Sequence, residues 1–486
     1  MDNLRGRKDI FTATEALTED NIITEINNAI AIHLANSAEE DYLYWYRRGE
    51  QPVMYRTKQY NEFILNKVVE NLAEENVTFK NGYFLQEPAC YISRTDKAQR
   101  KIDKLNEYLY RSGKHTADNK LADWFHTVGK AALFVERTAD KDAPVRCYAV
   151  DPRSAFVVYS LRAGNKPVYA VNMVVGEDVV YVDVFTDELE YRLTGRQPKN
   201  SPTAFPDYKT MVWEIVSVSP NLLRHIPIIE YRYNSVNMAS FEPALSLYDA
   251  INEVQSSRVD GVDQFIQSVA VAVNCEFPED TTASDIRKAG MIVMRSTDGN
   301  KAEFKILSEE LNQSQTQTLV DNLYEMALRI CSMPSTTKGG SSTSDTGSAV
   351  YLRDGWGQAS GAARNTEDLF KESNRQFDRI MVDVLREEKL LDVDVADFEL
   401  NFVRNETAGV QSKAQAFQTL LAAGLHPELA AAKSGISNDP VADIKMSEPY
   451  LERVWNKNNA ESKPEVKAED KKSENGGESN EAQVEN

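Results

Sequence analysis

Apolar side chains recur at helical spacing between residues 20 and 35, at Ile22, Ile23, Ile26, Ile30, His33 and Leu34, and predict an amphipathic helix. Ser37 followed by Glu40 has the form of a capping box, which predicts a second helix ending near Gly49. Its aromatic cluster, Tyr42, Tyr44, Trp45 and Tyr46, reads as core or subunit-interface packing and not as a base-stacking platform. The same period predicts helices over 60–75, 95–111 and 117–128. Past Gly129 the period drops to two. Runs of β-branched and aromatic residues at 131–136, 156–160, 168–175, 179–185, 211–218 and 226–233, broken by Gly, Pro, Asp and Asn, predict a mainly antiparallel sheet. Pro152 and Pro227 fall at strand starts, where a missing N–H costs little.

Helical spacing returns at Pro243, a favoured first-turn residue, and continues through Ala244, Leu247, Tyr248, Ile251, Val254, Val262, Phe265, Ile266 and Val269. A helix over 243–273 would reach about 46 Å. A second long helix over 309–331 carries Leu311, Leu319, Leu323, Met326, Ala327 and Ile330 on one face. Between them, strands at 291–297 and 301–307 flank the turn signal Asp298-Gly299-Asn300. Two helices thus hold a small module at their far end. Residues 334–346 contain no large apolar side chain beyond Pro334 and read as a flexible loop. A helix over 347–391 follows, with Gly355, Gly357 and Gly361 predicting a bend. A strand at 398–403, helices at 414–423, 427–433 and 441–455, and a charged tail at 457–486 without aromatics complete the pattern.

Composition narrows the class. With 486 residues, 42% hydrophobic and 27% charged, the chain can bury a real core in about two to four domains, which excludes wholesale disorder. Apolar runs such as 269–273 fall far short of the ~20 residues a membrane helix needs, and the N-terminal residues lack a signal-peptide core. A soluble protein without membrane contact or export is expected. The 4 cysteines and 5 histidines are scattered, with no CxxC, HxH or HExxH spacing, so reduced thiols are expected and no metal or cofactor site. No GxGxxG, GxxxxGK[ST] or GxSxG occurs, and an enzyme is not expected. The formal charge of −20 opposes tight nucleic-acid binding, since that affinity comes mainly from Lys and Arg displacing counterions.

The order of a helical hairpin with a module at its tip, a Gly/Ser/Thr loop and a long bent helix resembles the portal proteins of tailed double-stranded DNA bacteriophages, in the branch typical of long-tailed phages of Gram-positive hosts. The residues that carry the resemblance run through nearly the whole chain. They are Gly82-Tyr-Phe-Leu-Gln-Glu-Pro88, Gly129-Lys-Ala-Ala-Leu-Phe-Val-Glu136, Val150-Asp-Pro-Arg153 with Val157-Val158-Tyr159, Ile226-Pro-Ile-Ile-Glu230 with Asn234, Tyr248-Asp-Ala-Ile-Asn252 with Ser256 and Ser257, Ser332-Met-Pro334, Thr346-Gly-Ser-Ala349 and Phe402-Val-Arg-Asn405. Thr346-Gly-Ser-Ala349 departs slightly from the family's Ser-Gly-x-Ala pattern.

The resemblance implies a helix-dominated α+β portal fold. By position, the wing is 1–242, with N-terminal helices and a β region, joined by a long bent helix and strand at 347–406. The stem helices are 243–273 and 308–331, the small α/β clip 274–307, the tunnel loop 332–346, the crown 407–456 and the disordered acidic tail 457–486. It further implies a homo-oligomeric, usually dodecameric, ring at one capsid vertex, assembled in the host cytoplasm and retained in the virion. The implied partners are double-stranded DNA passing non-specifically through the lumen, the terminase large subunit, the major capsid protein, scaffolding protein and the head-to-tail adaptor. The ring would nucleate capsid assembly, and DNA would be packaged through it and later ejected.

Site residues follow from that placement. Ser335, Thr336, Thr337, Lys338, Gly339, Gly340, Ser341 and Ser342 would face the DNA, with Lys338 touching phosphates and the glycines giving the loop freedom. Glu276, Glu279, Asp280, Asp285, Arg287, Lys288 and Met291 would dock the motor or adaptor, with Met291, Ile292 and Val293 also able to pair between subunits. Ser256, Ser257 and Arg258 would form a hydroxyl-rich contact between neighbouring stems, or else their exposed face. Two rivals stand beside this reading: a non-portal minor capsid or adaptor protein, and a hydrolase built on His115 or His126 with nearby acids.

Overall fold

A computed structural model describes residues 6–58, 63–94, 99–199, 205–266, 269–273, 275–276, 295–296, 303–307, 313–335, 355–402, 410–437, 440 and 443–450. Contacts divide the chain into two units, 1–408 and 409–486.

In the first unit a long helix, α1 (Ile22–Arg47), lies on a six-stranded sheet. The strands are β1 (Ile10–Thr12), β5 (Ala155–Ser160), β6 (Pro167–Val175), β7 (Val180–Phe185), β8 (Leu189–Arg196) and β9 (Val212–Pro220), in that order across the sheet. β1 runs parallel to β5, and every other pairing is antiparallel. Ile22, Ile26 and Ile30 of α1 close over Val158, Val171, Val182 and Tyr191, the alternate inward residues that period two selects. A second sheet, in the order β10 (Ile228–Arg232), β3 (Lys130–Arg137), β4 (Val145–Val150), packs with α3 (Gln99–Arg111) and α4 (Lys114–Val128). Its core also takes in Phe370, Phe377, Ile380 and Met381 of a 32-residue helix, α7 (Trp356–Glu387). β2 (Cys90–Ser93) pairs with β15 (Phe398–Asn401) beside it.

Several elements differ from the sequence expectation. The predicted capping box at Ser37 does not form, because α1 continues through it. Asn36 exchanges two hydrogen bonds with the Lys8 backbone, at 2.9 and 2.8 Å, and the Ser37 hydroxyl donates to the Arg153 carbonyl at 3.4 Å, so these polar residues find tertiary partners mid-helix, while Glu40 is fully buried with neither carboxylate oxygen hydrogen-bonded. Of the helix expected over 60–75, the described residues 63–70 are not helical, Asn71 stands in the left-handed region at φ 46°, and α2 (Leu72–Phe84) starts after it. Strands β1, β2, β4 and β8 were not anticipated. Gly357 and Gly361 lie within the uninterrupted α7, while Gly355 is its left-handed N-cap with φ 82°.

The helix expected over 243–273 is α5 (Leu245–Ile266), preceded by a 3₁₀ turn, Glu242–Ala244. Val269–Val273 is instead a strand, β11, whose alternating valines suit a pleated surface better than a helix. It pairs antiparallel with β14 (Glu303–Leu307), and β12 (Cys275–Glu276) pairs with β13 (Arg295–Ser296). Of the expected hairpin of 291–297 with 301–307, the described parts 295–296 and 303–307 pair with β12 and β11, and the rest, with its turn at 298–300, lies outside the described residues. The second long helix, α6, runs Gln313–Ile330.

The second unit holds α8 (Val410–Ala422) and α9 (Pro427–Ser434), each followed by a left-handed glycine, Gly424 and Gly435, and helical residues 443–450. The predicted tail at 457–486 lies outside the described residues.

Candidate functional site

The hairpin of α5 and α6 is rooted in a core of its own. Ala244 and Tyr248 of the first arm meet Ala327, Leu328 and Cys331 of the second, enclosed by Leu43 and Tyr46 of α1 and Ala73 and Val77 of α2. Tyr46 Oη donates to Asp249 Oδ1 at 2.8 Å, and the Tyr248 hydroxyl lies 3.8 Å from Cys331 Sγ. Burial pushes the Asp249 carboxyl upward, with the Tyr46 hydrogen bond acting against it.

An extended strap, residues 64–70, runs antiparallel along α5. Its N–H groups at Glu70, Val68 and Asn66 donate to Asn252 Oδ1 (2.9 Å), Ser256 Oγ (2.9 Å) and Asp260 Oδ1 (2.7 Å). The match is one of repeat lengths. Two residues of extended chain advance about 6.6 Å and four residues of helix about 6.0 Å, so every second amide of the strap meets every fourth residue of the helix. Asp260 is the hub at the outer end, with a side chain 5% exposed. It takes Arg56 at 2.8 Å, Lys58, and the backbone and side chain of Asn66. Burial works to raise its pKa, and the hydrogen bonds from Lys58 and Asn66 outweigh burial and hold it below the usual carboxylate range.

The C-terminal end of α6, at the root of the hairpin, closes in a Schellman cap. Ser332 stands in the left-handed region at φ 52°, its N–H bonds the Arg329 carbonyl at 3.2 Å, and the Met333 N–H bonds the Leu328 carbonyl at 2.8 Å. Lys80 of α2, 7% exposed, donates to the Ser332 carbonyl at 3.2 Å. Burial draws its ammonium down to about 8, with Cys331 acting the other way. A Cβ on Gly355 would lie 3.8 Å from the backbone of Met333 and Pro334, so the chain on either side of 336–354 meets at one point. Trp356, first residue of α7, sits against Phe79 and Tyr83.

Of the residues singled out in the sequence, Ser335 is described, and its hydroxyl donates to Glu325 Oε1 at 2.6 Å. Thr336, Thr337, Lys338, Gly339, Gly340, Ser341 and Ser342 lie outside the described residues, as do Glu279, Asp280, Asp285, Arg287, Lys288 and Met291. Glu276 belongs to β12. Ser256 requires correction as a contact between stems: it is 0% exposed and bound to the strap of its own subunit. Ser257 accepts from Arg56 at 2.7 Å, and Arg258 donates to Gln317 of α6 at 2.8 Å. The hydrolase rival named His115 and His126. His126 is buried among Phe84, Phe125 and Tyr233, Nδ1 at 2.6 Å from Asn81 Oδ1, and burial holds its pKa well below the ordinary value. His115 is half-buried against Tyr110. Among the described residues no group of three or more His, Cys, Asp or Glu could hold a metal ion.

The strap, the Asp260 hub and Lys80 were missed in the sequence. A signal existed for the first: Asn252, Ser256 and Asp260 stand four apart on one side of the helix, which marks a stripe of hydrogen-bond acceptors.

A family model described as "Phage portal protein, SPP1 Gp6-like" matches residues 27–459. Among solved structures the chain is similar to one described as "Neck of native GTA particle computed with C12 symmetry", at 12% identity and a TM-score of 0.42 over 75% of this chain and 89% of that one. It is also similar to one described as "Virion of native gene transfer agent (GTA) particle", at 12% identity and a TM-score of 0.40 over the same shares. No curated protein matches the chain.

Proposed function

We propose, from the premise that this chain belongs to the SPP1 Gp6-like phage portal protein family, that it forms a ring at one capsid vertex of a long-tailed phage of a Gram-positive host, through which double-stranded DNA is packaged and later ejected. In this reading the hairpin of α5 and α6 is the stem, the strand pairs between the arms the clip, residues 332–346 the tunnel loop, 1–242 with 347–406 the wing and 407–456 the crown. The clip receives the terminase large subunit and later the head-to-tail adaptor. Major capsid and scaffolding proteins meet the ring during assembly. The chain itself carries out no catalysis; ATP is consumed by the motor.

The observation that carries the reading is the hairpin. Its base is locked into the core of the body by Tyr46, Tyr248 and the strap, and its far end bears the strand pairs β11–β14 and β12–β13. Size supports a large ring. One helix about 10 Å wide per subunit, twelve in a circle, places the axes on a diameter of roughly 38 Å and leaves about 28 Å clear; six leave roughly 9 Å, too narrow for a duplex. Charge supports easy passage. At −20 per chain, twelve copies carry about −240, which repels phosphates wherever carboxylates line the bore.

Negative-stain imaging of the purified chain tests the proposal. Rings with a central hole and about twelve subunits are expected. Solid particles without a lumen, in isolation and within procapsids, would refute it.

A further inference from the structure

The sequence placed Leu311, Leu319, Leu323, Met326, Ala327 and Ile330 on one apolar face of the second long helix, and the subunit covers only part of it. It buries Ala327, together with Val320 and Leu328 beside that face, and leaves Leu319 49%, Met326 52% and Ile330 52% exposed. Met326 and Ile330 fall within about 20° of Leu319 on the helix, so the three form one stripe. A helix apolar on two faces has two faces to cover.

The contacts fix where this stripe points. On α5 the strap bonds Ser256 while α6 bonds Arg258, about 200° further round, so strap and α6 sit on opposite sides of α5. On α6 the residue that meets Arg258 is Gln317, about 200° back from Leu319, so the stripe is on the side of α6 away from α5. The order is strap, α5, α6, stripe. The strap end of this stack is also open and apolar: Met54 is 41%, Tyr55 74% and Phe63 101% exposed. Met54 and Tyr55 end a 3₁₀ turn, Pro52–Tyr55, and Phe63 precedes the strap; the two segments are tied together by Lys67 Nζ, which donates to the Met54 carbonyl at 2.6 Å, and Lys58 Nζ, which donates to the Ile64 carbonyl at 3.1 Å.

Two unlike apolar patches on opposite flanks of one subunit are what a head-to-tail interface requires, because a ring of identical copies closes only if one face seats on a different face of the next. Apolar clusters of this kind on a soluble surface mark contact sites. We infer that the α6 stripe Leu319, Met326 and Ile330 of one copy packs on the Met54, Tyr55 and Phe63 patch of the next, with a second copy of this chain as the occupant. The inference rests on the ring proposed above and adds its two faces.

The test uses the full chain in two variants, Leu319→Asp with Met326→Asp, and Tyr55→Asp with Phe63→Asp, sized by light scattering and imaged beside wild type. The changes are at exposed positions, so circular dichroism and melting should match wild type. Each variant alone should lose the ring and remain monomeric. A mixture of the two retains one intact pair of faces per couple and should give one-to-one dimers that grow no further. In parallel, Phe63→Cys with Met326→Cys in one chain should give an oxidation-dependent covalent ladder absent from either single variant. Rings from either variant, a variant that pairs with itself, no dimer in the mixture, or no ladder would overturn the interface while leaving a wild-type ring standing. Wild type that remains monomeric, with no dimer from the mixture, would overturn the ring and the interface together.

Discussion

Replacing Asp260 by Asn removes the charge at the hub of the strap and keeps its shape. The carboxylate receives Arg56 at 2.8 Å, Lys58, and the Asn66 N–H at 2.7 Å, all from outside its own helix. Breaking a buried ion pair from one side costs about 3–5 kcal/mol, and a hydrogen bond to a charged group contributes about 1.5–3 kcal/mol. Arg56 retains Glu253 at 2.8 Å, so the lower end applies and about 2 kcal/mol is expected. That loss is local. It should speed hydrogen exchange of the strap amides at Asn66 and Val68 about 30-fold, read by mass spectrometry of peptides spanning 63–71, and leave the β5–β8 sheet unchanged. The pH dependence has a definite sign. A carboxylate whose folded pKa lies below its unfolded value stabilises fully above about pH 3.9, and that contribution disappears as pH falls through the folded pKa. Strap protection in the wild type should therefore persist through the neutral range and fade only in strong acid. Unchanged exchange in the Asp260→Asn variant, or equal acceleration everywhere, would refute the role of Asp260 as the hub.

Three further outcomes are expected. Deleting residues 337–342 should leave ring assembly intact but impair DNA packaging or retention, and normal genome filling would contradict the tunnel assignment. Lys80, buried with its pKa drawn down to about 8, binds fewer protons folded than unfolded, so its contribution to stability grows as pH rises from about 8 towards 10; thermal melts of wild type and Lys80→Met should differ in slope across that range. Gly129 has φ 97°, and a Cβ there would lie 2.1 Å from the Asn237 carbonyl oxygen, so Gly129→Ala should cost about 3 kcal/mol or more and lower the yield of folded chain.

How much was legible depends on where each residue's partner lies. β3, β5, β6, β7, β9 and β10 were readable because alternation is a local signal that the sheet obeys, and α3 and α4 because their apolar stripes are broad. The strap was not. Its Ile64 and Val68, with Leu72 at the start of α2, fall four apart and mimic a longer helix, yet the Val68 amide is held by Ser256, 188 residues away, and no local pattern contains that partner. Ser37 and Glu40 imitated a helix start for the same reason, since what carries α1 through them is the bonding of Asn36 to the Lys8 backbone.

The sequence by itself determined that this chain has an acidic surface, a long helical hairpin interrupting a mixed body, and a Gly/Ser/Thr segment just after it, because composition and period report how each segment meets water. Which face of α6 its own subunit covers, which residues of α5 are bound by the strap, and which strands pair between the arms were decided only by tertiary structure. A helix with two apolar faces states in its sequence that both seek cover. It does not state which will be met inside the subunit, because that choice depends on the shape and hydrogen-bonding groups of chain hundreds of residues away.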